Sequence, residues 1–313
     1  MRTSININPV WFRLFTIIKL GRLHFLSSGV LLNCLGVAIA IYSGASLDLS
    51  IFLLGQLVIT STQIMTHYSN EYYDLDADTA NLTPTNWSGG SRVLVEGSLP
   101  PQVALHIALF FGAVALCGNL ILAVLISPHI LFITLSALLL SWFYSAPPLQ
   151  LHSRGFGELS ATITVTALTP LTAYVLQTHT IDTLILLAVI PLCILQFAML
   201  ISIEFPDEAG DRRVGKNTLV VRLGPQKAML LYSGSIMMAY LILPVIVLMG
   251  FPTEVALLLI LPLPLALVLL WKVWRGNWKS PQKWNSLAFY TIVLLMSTIS
   301  FELVGFVLLI GFL

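Results

Sequence analysis

Charge is what this chain has least of. Of its 313 residues, 9% are Asp, Glu, Lys or Arg and 57% are hydrophobic. A soluble domain is about one quarter charged. So few charges cannot cover a water-soluble surface, and the mean hydropathy of +0.92 agrees. The remaining apolar surface needs lipid around it. The net charge of +1 comes without a dense basic cluster, which argues against a nucleic-acid partner. Cysteine is scarce too: Cys34, Cys117 and Cys193 lie inside apolar runs and form no CxxC pair. They read as small apolar fillers, not as disulfides or metal ligands. No cleavable signal peptide is expected, because the first long apolar run starts after more than twenty residues and continues as an ordinary span.

What is present is a series of apolar runs. They lie at about 24–45, 49–69, 103–122, 128–147, 159–178, 181–203, 228–250, 254–274 and 286–312. Each is long enough to cross a bilayer. The expected fold is therefore an all-α integral membrane protein of about nine transmembrane helices, forming one domain over 1–313. The breaks carry turn chemistry, as at Ser43-Gly44 and Gly250-Phe251-Pro252. Pro170, Pro191, Pro244, Pro262 and Pro264 predict kinks. With nine spans, every Lys and Arg, from Arg2 to Lys283, falls in the N-terminal tail or in or beside the loops after spans 2, 4, 6 and 8. That asymmetry predicts a cytoplasmic N-terminus and cytoplasmic long loops. Trp271, Trp274, Trp278 and Trp284 around the last basic loop read as an interfacial aromatic belt.

The acids cluster in two places on that side. The first cluster runs from Asn70 to Asp78 at the end of span 2, and the second from Asp207 to Asp211 at the end of span 6. Asn70, Asp74 and Asp78 follow four-residue steps and stay on one helix face, drifting about 80° in total. Asp76 points elsewhere. Asp207 and Asp211 again share a face. The offset is constant, since 207 − 74 = 211 − 78 = 133. Each cluster thus ends the second span of a four-span block. That implies a parallel internal repeat, with halves at about 20–150 and 155–280 and a ninth helix at 286–312. Carboxylates four residues apart repel unless a cation sits between them. Hard oxygen donors suit Mg²⁺, which completes its shell with water and substrate phosphate. Two facing carboxylate pairs therefore predict two Mg²⁺ ions bridging a diphosphate. Arg212, Arg213, Lys216 and Arg222 follow the second cluster and could take up the charge of a leaving diphosphate. Solvated loop charge is the bland alternative for either cluster alone; matched spacing, side and repeat position argue against it for both.

The pattern resembles the UbiA superfamily of intramembrane prenyltransferases. The family's first motif, an Asn and two Asp at four-residue steps, is matched by Asn70, Asp74 and Asp78, with Glu71 where many members have Asp. Its DxxxD motif is matched by Asp207 and Asp211. The segments Trp142–Glu158 and Ser88–Gly97 look most like the 1,4-dihydroxy-2-naphthoate polyprenyltransferases of menaquinone synthesis. Where some members carry a Lys after the tyrosine of the first segment, this chain has Gln150 and then Arg154.

The resemblance implies a UbiA-like bundle in the cell inner membrane. It implies Mg²⁺-dependent transfer of an isoprenyl group from a polyprenyl diphosphate to an aromatic acceptor, 1,4-dihydroxy-2-naphthoate or a related quinone precursor. Asp74, Asp78, Asp207 and Asp211 would be the catalytic metal ligands, with Asn70 completing a shell. Arg22, Arg92, Tyr144, Arg154, Arg212 and Lys216 would contact the diphosphate. His67 and Asn70 would face the acceptor, although helix packing is the plainer reading for His67. Glu158 reads as structural, paired with Arg154. Glu302 reads as an intramembrane acid with a packing or polar partner, and Asp48 as solvated. One rival is a terpene cyclase of the same architecture, and a more distant one is a cation-coupled transporter. The oligomeric state is left open.

Overall fold

The computed structural model describes residues 9–311, and every element among them is helical. Arg2, which contributes to the charge asymmetry, and residue 312 of the last apolar run lie outside the described residues. The elements are α1 (Pro9–Leu20), α2 (Leu26–Tyr42), α3 (Leu49–Tyr73), α4 (Leu75–Ala80), α5 (Pro101–Leu125) and α6 (Ile130–Ser145). There follow α7 (Gly157–Thr162), a π-helical turn (Ile163–Leu168), α8 (Thr169–Thr178), α9 (Thr183–Glu204), α10 (Glu208–Arg213) and α11 (Leu219–Leu223). The chain ends with α12 (Pro225–Leu241), α13 (Leu243–Leu248), α14 (Thr253–Leu258), α15 (Leu263–Trp274) and α16 (Pro281–Ile310).

Among the described residues, seven helical stretches are long and apolar enough to cross a membrane: Leu23–Tyr42, Leu49–Tyr73, Pro101–Leu125, Gly157–Thr178, Thr183–Glu204, Pro225–Leu248 and Pro281–Ile310. Ile130–Ser145 and Leu263–Trp274 are shorter apolar helices. The chain is a multi-pass integral membrane protein. The run at 254–274 is split where Leu259–Pro262 leaves the helix and α15 restarts with Pro262 and Pro264 at its N-terminus. Pro lacks the N–H that an interior position must donate, so it serves best at a helix start. Pro170 and Pro244 also sit at helix starts, and Pro191 alone of the five lies inside a helix. The tail before the first long run holds α1, twelve residues long and too short to span. Its Trp11, Phe15 and Ile18 are exposed.

The bundle closes around α2, α9 and α16. Helix α2 packs on α8 and α16, α9 on α12 and α16, and α3 runs along α5. Leu32, Leu35 and Ile39 of α2, Ile185 and Leu192 of α9, and Leu294 and Ile299 of α16 are fully or almost fully buried. Far from the acidic motifs, Asp48 accepts from the Ile51 N–H at 3.0 Å and caps α3, while Gln177 Oε1 accepts from the Asp48 N–H at 2.8 Å. Asp48 is thus a cap joining α3 to the end of α8, not a merely solvated charge.

Two long helices, α3 and α9, each end in a break followed by a six-residue helix. Asp74 sits at the first break, with φ −99° and ψ 5°. The chain still winds helically across it, since the Asp74 N–H reaches Asn70 O at 2.8 Å and the Asp78 N–H reaches Asp74 O at 2.9 Å. Pro206 ends the second path, and the Asp211 N–H then returns to Asp207 O at 2.9 Å. The short helices α4 and α10 meet at Gly210. A Cβ there would lie 3.0 Å from both Asn81 Cα and Asn81 N, which are backbone atoms and cannot swing aside. Gly210→Ala should therefore lower thermal stability in detergent by about 1–3 kcal/mol, the usual cost of overpacking. Gly234→Ala, whose Cβ would meet nothing within 4 Å on α12, should be neutral or slightly stabilising. Fluorescence-detected thermal unfolding of both variants checks the contrast.

Candidate active site

The acidic motifs reach each other through Lys216. Its Nζ lies 2.9 and 2.8 Å from the two oxygens of Asp74, and 3.4 Å from Asp211 Oδ1. Gly215, at φ +75°, turns the chain after α10, and the Lys216 N–H returns to Asp211 O at 2.9 Å. This loop brings the ammonium back over its own motif and onto the other one. Asp74 is held from a second side by His152, whose Nε2 lies 3.0 Å from Asp74 Oδ1. The other ring nitrogen donates to the Tyr144 carbonyl at 2.7 Å, which fixes the ring. Asp207 accepts from Asn81 Nδ2, so the residue after α4 reaches the start of α10.

Asp78 faces the loop that follows α4. Its carboxylate lies against Gly90, at φ +67°, where any Cβ would collide with it. Glu71 clamps the same loop, accepting from the Ser91 N–H and the Ser91 hydroxyl, both at 2.7 Å. The extra methylene of Glu over Asp gives the reach for this double contact. Arg92, at φ +66°, donates to the carbonyls of Asp78 and Gly89.

The electrostatics follow from confinement. Burial pushes Asp78 up to about 9, with the charges of Asp74, Glu71 and Asp207 adding to it. Burial and then Asp211 raise Asp207 to about 7. Burial also raises Asp211, against the pull of Lys216. For Asp74 burial acts in the same sense, yet Lys216 and His152 outweigh it and hold the group below the usual carboxylate range. Burial opposes the charge on Lys216, but Asp74 and Asp211 hold it above the usual lysine range. The cluster thus carries more carboxylate than its ammonium can neutralise. Its donors are oxygens of aspartate with one imidazole, which fits a hard divalent cation and not a thiophilic one. Among the described residues no three His, Cys, Asp or Glu side chains converge as a ready cage. A cation that takes one or two carboxylates and fills its shell with water and phosphate fits such an arrangement.

Beside the acids opens a cavity of about 270 Å³. Arg22, His67, Asn70, Trp87 and Tyr144 line it toward the acidic end, and Val58, Leu168, Thr172, Leu200, Leu295 and Met296 line it further in. Asn70 donates to the Ser145 hydroxyl at 3.0 Å. Arg22, at φ +47°, donates to Trp87 O at 2.7 Å and lies 4.9 Å over the Phe25 ring. His67 stacks on the same Phe25 at 5.8 Å, and Tyr144 stacks on His152 at 5.2 Å.

The structure therefore gathers Asp74, Asp211 and Lys216 directly, Asp207 and Asp78 around them, and Asn70, Tyr144, His67 and Arg22 along the cavity. Arg92 holds the loop backbone. Two bases turn away: Arg154 donates to Pro148 O, and Arg212 pairs with Glu208 at a side-chain exposure of 59%. Glu158 does not pair with Arg154; its Oε1 accepts from the Leu219 N–H at 2.6 Å, at the start of α11. Glu302 is fully buried, and neither carboxylate oxygen has a partner among the described residues. His152 and Asn81 were not foreseen. Asn81 continues the Asp78 face three residues on, a spacing that could have exposed it. His152 follows a cis Pro147-Pro148 bond and a left-handed Gln150, a turn that carries no sequence period.

Known proteins share the sequence family and the fold. The UbiA prenyltransferase family model matches residues 30–298. The chain is 28% identical over 225 residues to a 1,4-dihydroxy-2-naphthoate octaprenyltransferase of Bacillus subtilis, covering 71% of this chain and 70% of the relative. It is 26% identical over 223 residues to UbiA prenyltransferase domain-containing protein 1 of Xenopus tropicalis, covering 70% of this chain and 63% of the relative. A solved UbiA homologue from Archaeoglobus fulgidus superposes with a TM-score of 0.65 at 18% identity, over 93% of this chain and 99% of that one. The same homologue bound to GPP and Mg²⁺ gives 0.56 at 18% identity, over 90% and 99%. With a family match over most of its length and that family's fold, the chain belongs to the UbiA prenyltransferase family.

Proposed function

We propose that this protein transfers a polyprenyl group from its diphosphate to an aromatic quinone precursor, 1,4-dihydroxy-2-naphthoate or a close relative, in a Mg²⁺-dependent reaction that releases diphosphate. The observation that carries this reading is the meeting of two acidic motifs, through Lys216, beside an apolar cavity that Asn70 and Tyr144 line. The acceptor follows the names of relatives from Bacillus subtilis and Mycobacterium tuberculosis. The placement rests on nine membrane crossings, the two shorter apolar helices included, with both motifs on the cytoplasmic side. The parallel repeat is supported by the long-helix, short-helix pairs α3–α4 and α9–α10.

Asp74, Asp78, Asp207 and Asp211, with Asn70 beside them, would hold Mg²⁺. Bound there, it supplies positive charge to the leaving diphosphate. Lys216 adds its ammonium to the same oxygens, and Arg22 at the cavity rim adds a guanidinium. His152 and Asn81 keep Asp74 and Asp207 oriented. Glu71 and Arg92 keep the loop closed over Asp78. Loss of diphosphate would leave an allylic cation, which the walls shield from water until a ring carbon bonds to it and gives up its proton, or its carboxylate as CO2. The polyprenyl tail stays among the aliphatic side chains of the bundle.

Asp74→Asn and Asp211→Asn should each lower prenyl transfer by more than about 100-fold, the scale set by losing a group that stabilises transition-state charge. Mass spectrometry of products from purified protein measures this. Near-normal turnover in both variants would remove the assignment.

A pH dependence also follows. Asp207 and Asp78, raised to about 7 and about 9, keep protons in the folded state that the unfolded chain has already lost. The folded state binds more protons in that window, so stability falls as pH rises. Asp74, held below the usual range, and Lys216, held above its own, do not titrate there. In chelator, melting temperature should fall from pH 6 to 9; with Mg²⁺ the fall should shrink, and Mg²⁺ binding should strengthen as pH rises. A thermal-melt series with and without Mg²⁺ reads all of this.

A further inference from the structure

Helix α9 is the most apolar span, with a mean hydropathy of 2.8. From Leu184 to Ile201 its one amide side chain is Gln196. That side chain is 5% exposed, lines the cavity, and has no hydrogen-bond partner among the described residues. An amide in such surroundings is costly unless something hydrogen-bonds to it. Two further residues that line the cavity each hold an enclosed polar atom without a partner among the described residues: Gln63 Oε1 on α3, whose Nε2 donates to the Ser28 hydroxyl at 3.5 Å, and Thr164 Oγ1 in the π-helical turn.

The three residues come from different walls but lie at one depth. Gln63 is seven residues before Asn70, Thr164 seven after Gly157, and Gln196 eight before Glu204. At 1.5 Å per residue each is about 10–12 Å in from the acidic end. Local structure sets two of them. The Gln63 amide rests on Gly29 of α2, where a Cβ would collide with it. Thr164 lies where Pro170 withholds an N–H from the Thr166 carbonyl and the helix widens to a π turn, a feature frequent at functional sites.

We infer that Gln196, Gln63 and Thr164 form a hydrogen-bonding tier inside the cavity that receives the ring hydroxyls of the aromatic acceptor. This rests on the transferase reading above. A polyprenyl tail has no donor or acceptor and leaves the Gln196 amide, Gln63 Oε1 and Thr164 Oγ1 unpaired. A ring hydroxyl both donates and accepts, and two hydroxyls on one ring address two walls at once. The tier lies one turn deeper on α3 than His67, so the ring sits beneath the diphosphate with its hydroxyl edge away from the acids. A site built this way rejects an analogue that lacks the hydroxyl, because its buried polar groups are left unpaired.

The test uses the full chain in detergent with Mg²⁺, geranyl diphosphate and paired acceptors, a dihydroxynaphthoate and its monohydroxy analogue. Gln196→Leu and Thr164→Val are compared with wild type, and Gln196→Asn serves as the conservative variant. Leucine suits an apolar span, and melting temperature confirms folding. The wild type should prefer the dihydroxy ring by at least about 100-fold. Gln196→Leu should raise the acceptor KM at least about tenfold and cut the preference below about tenfold, with the donor KM and Mg²⁺ requirement unchanged. Gln196→Asn should recover part of the preference. Unchanged acceptor KM and preference in both apolar variants would overturn the tier while leaving the transferase reading intact; a tier that held only water would give this result. Wild-type protein that consumes donor but prenylates neither ring would overturn the transferase reading itself, and the tier with it.

Discussion

The contact of one ammonium with two carboxylates from opposite halves of the chain organises the acidic end of this protein. Lys216 lies 2.8 Å from Asp74 and 3.4 Å from Asp211, residues 137 positions apart since 211 − 74 = 137. Buried carboxylates facing one another repel, and the cost rises as water is excluded. The ammonium between them offsets that repulsion where the ends of α3 and α9 approach and Gly210 rests on the Asn81 backbone. The lysine meets part of that charge. The remainder is unmatched carboxylate, the charge that the divalent cation of the proposed reaction would meet.

Around this contact the other parts have positions more than independent functions. His152 and Asn81 each hold one aspartate, and Glu71 and Arg92 hold the loop over a third. Buried polar networks are costly when half satisfied, so each member constrains its neighbours. Glu302 stands outside this logic, buried in α16 with both oxygens unpartnered. Nothing in the structure explains it.

Much of this was legible in the sequence because periodicity and charge are local signals. The apolar runs located the seven long helical stretches to within about five residues but not the split of the run at 254–274 or α1, and the four-residue steps from Asn70 to Asp78 survived the break at Asp74 because its backbone hydrogen bonds continue. The illegible parts depend on turns and on contacts between distant segments. Arg154 and Arg212 sit near the motifs in sequence yet point away, since charge counts carry no direction. Glu158 binds the start of α11 instead of its near neighbour Arg154, because an unpaired helix N–H is the stronger demand at a buried site. His152 reaches Asp74 only through a turn in which Gln150 adopts φ 44°. No pattern of hydrophobicity encodes that.

The division between mouth and cavity has a physical reason. Breaking an allylic diphosphate separates charge, which is favourable only where cations already stand beside the leaving oxygens. Those cations and their carboxylates need some access to water, and an isoprenoid tail needs none. In the transferase proposed above, a charged cluster at helix ends and a tail among apolar spans would meet both demands along one axis. The junction between them is then the one place where a ring with polar substituents belongs. It must be dry enough to protect an allylic cation and polar enough to hold hydroxyl groups. Isolated amides and hydroxyls on apolar helices, such as Gln196 and Thr164, meet both conditions, whereas a charged side chain at that depth would bring water with it.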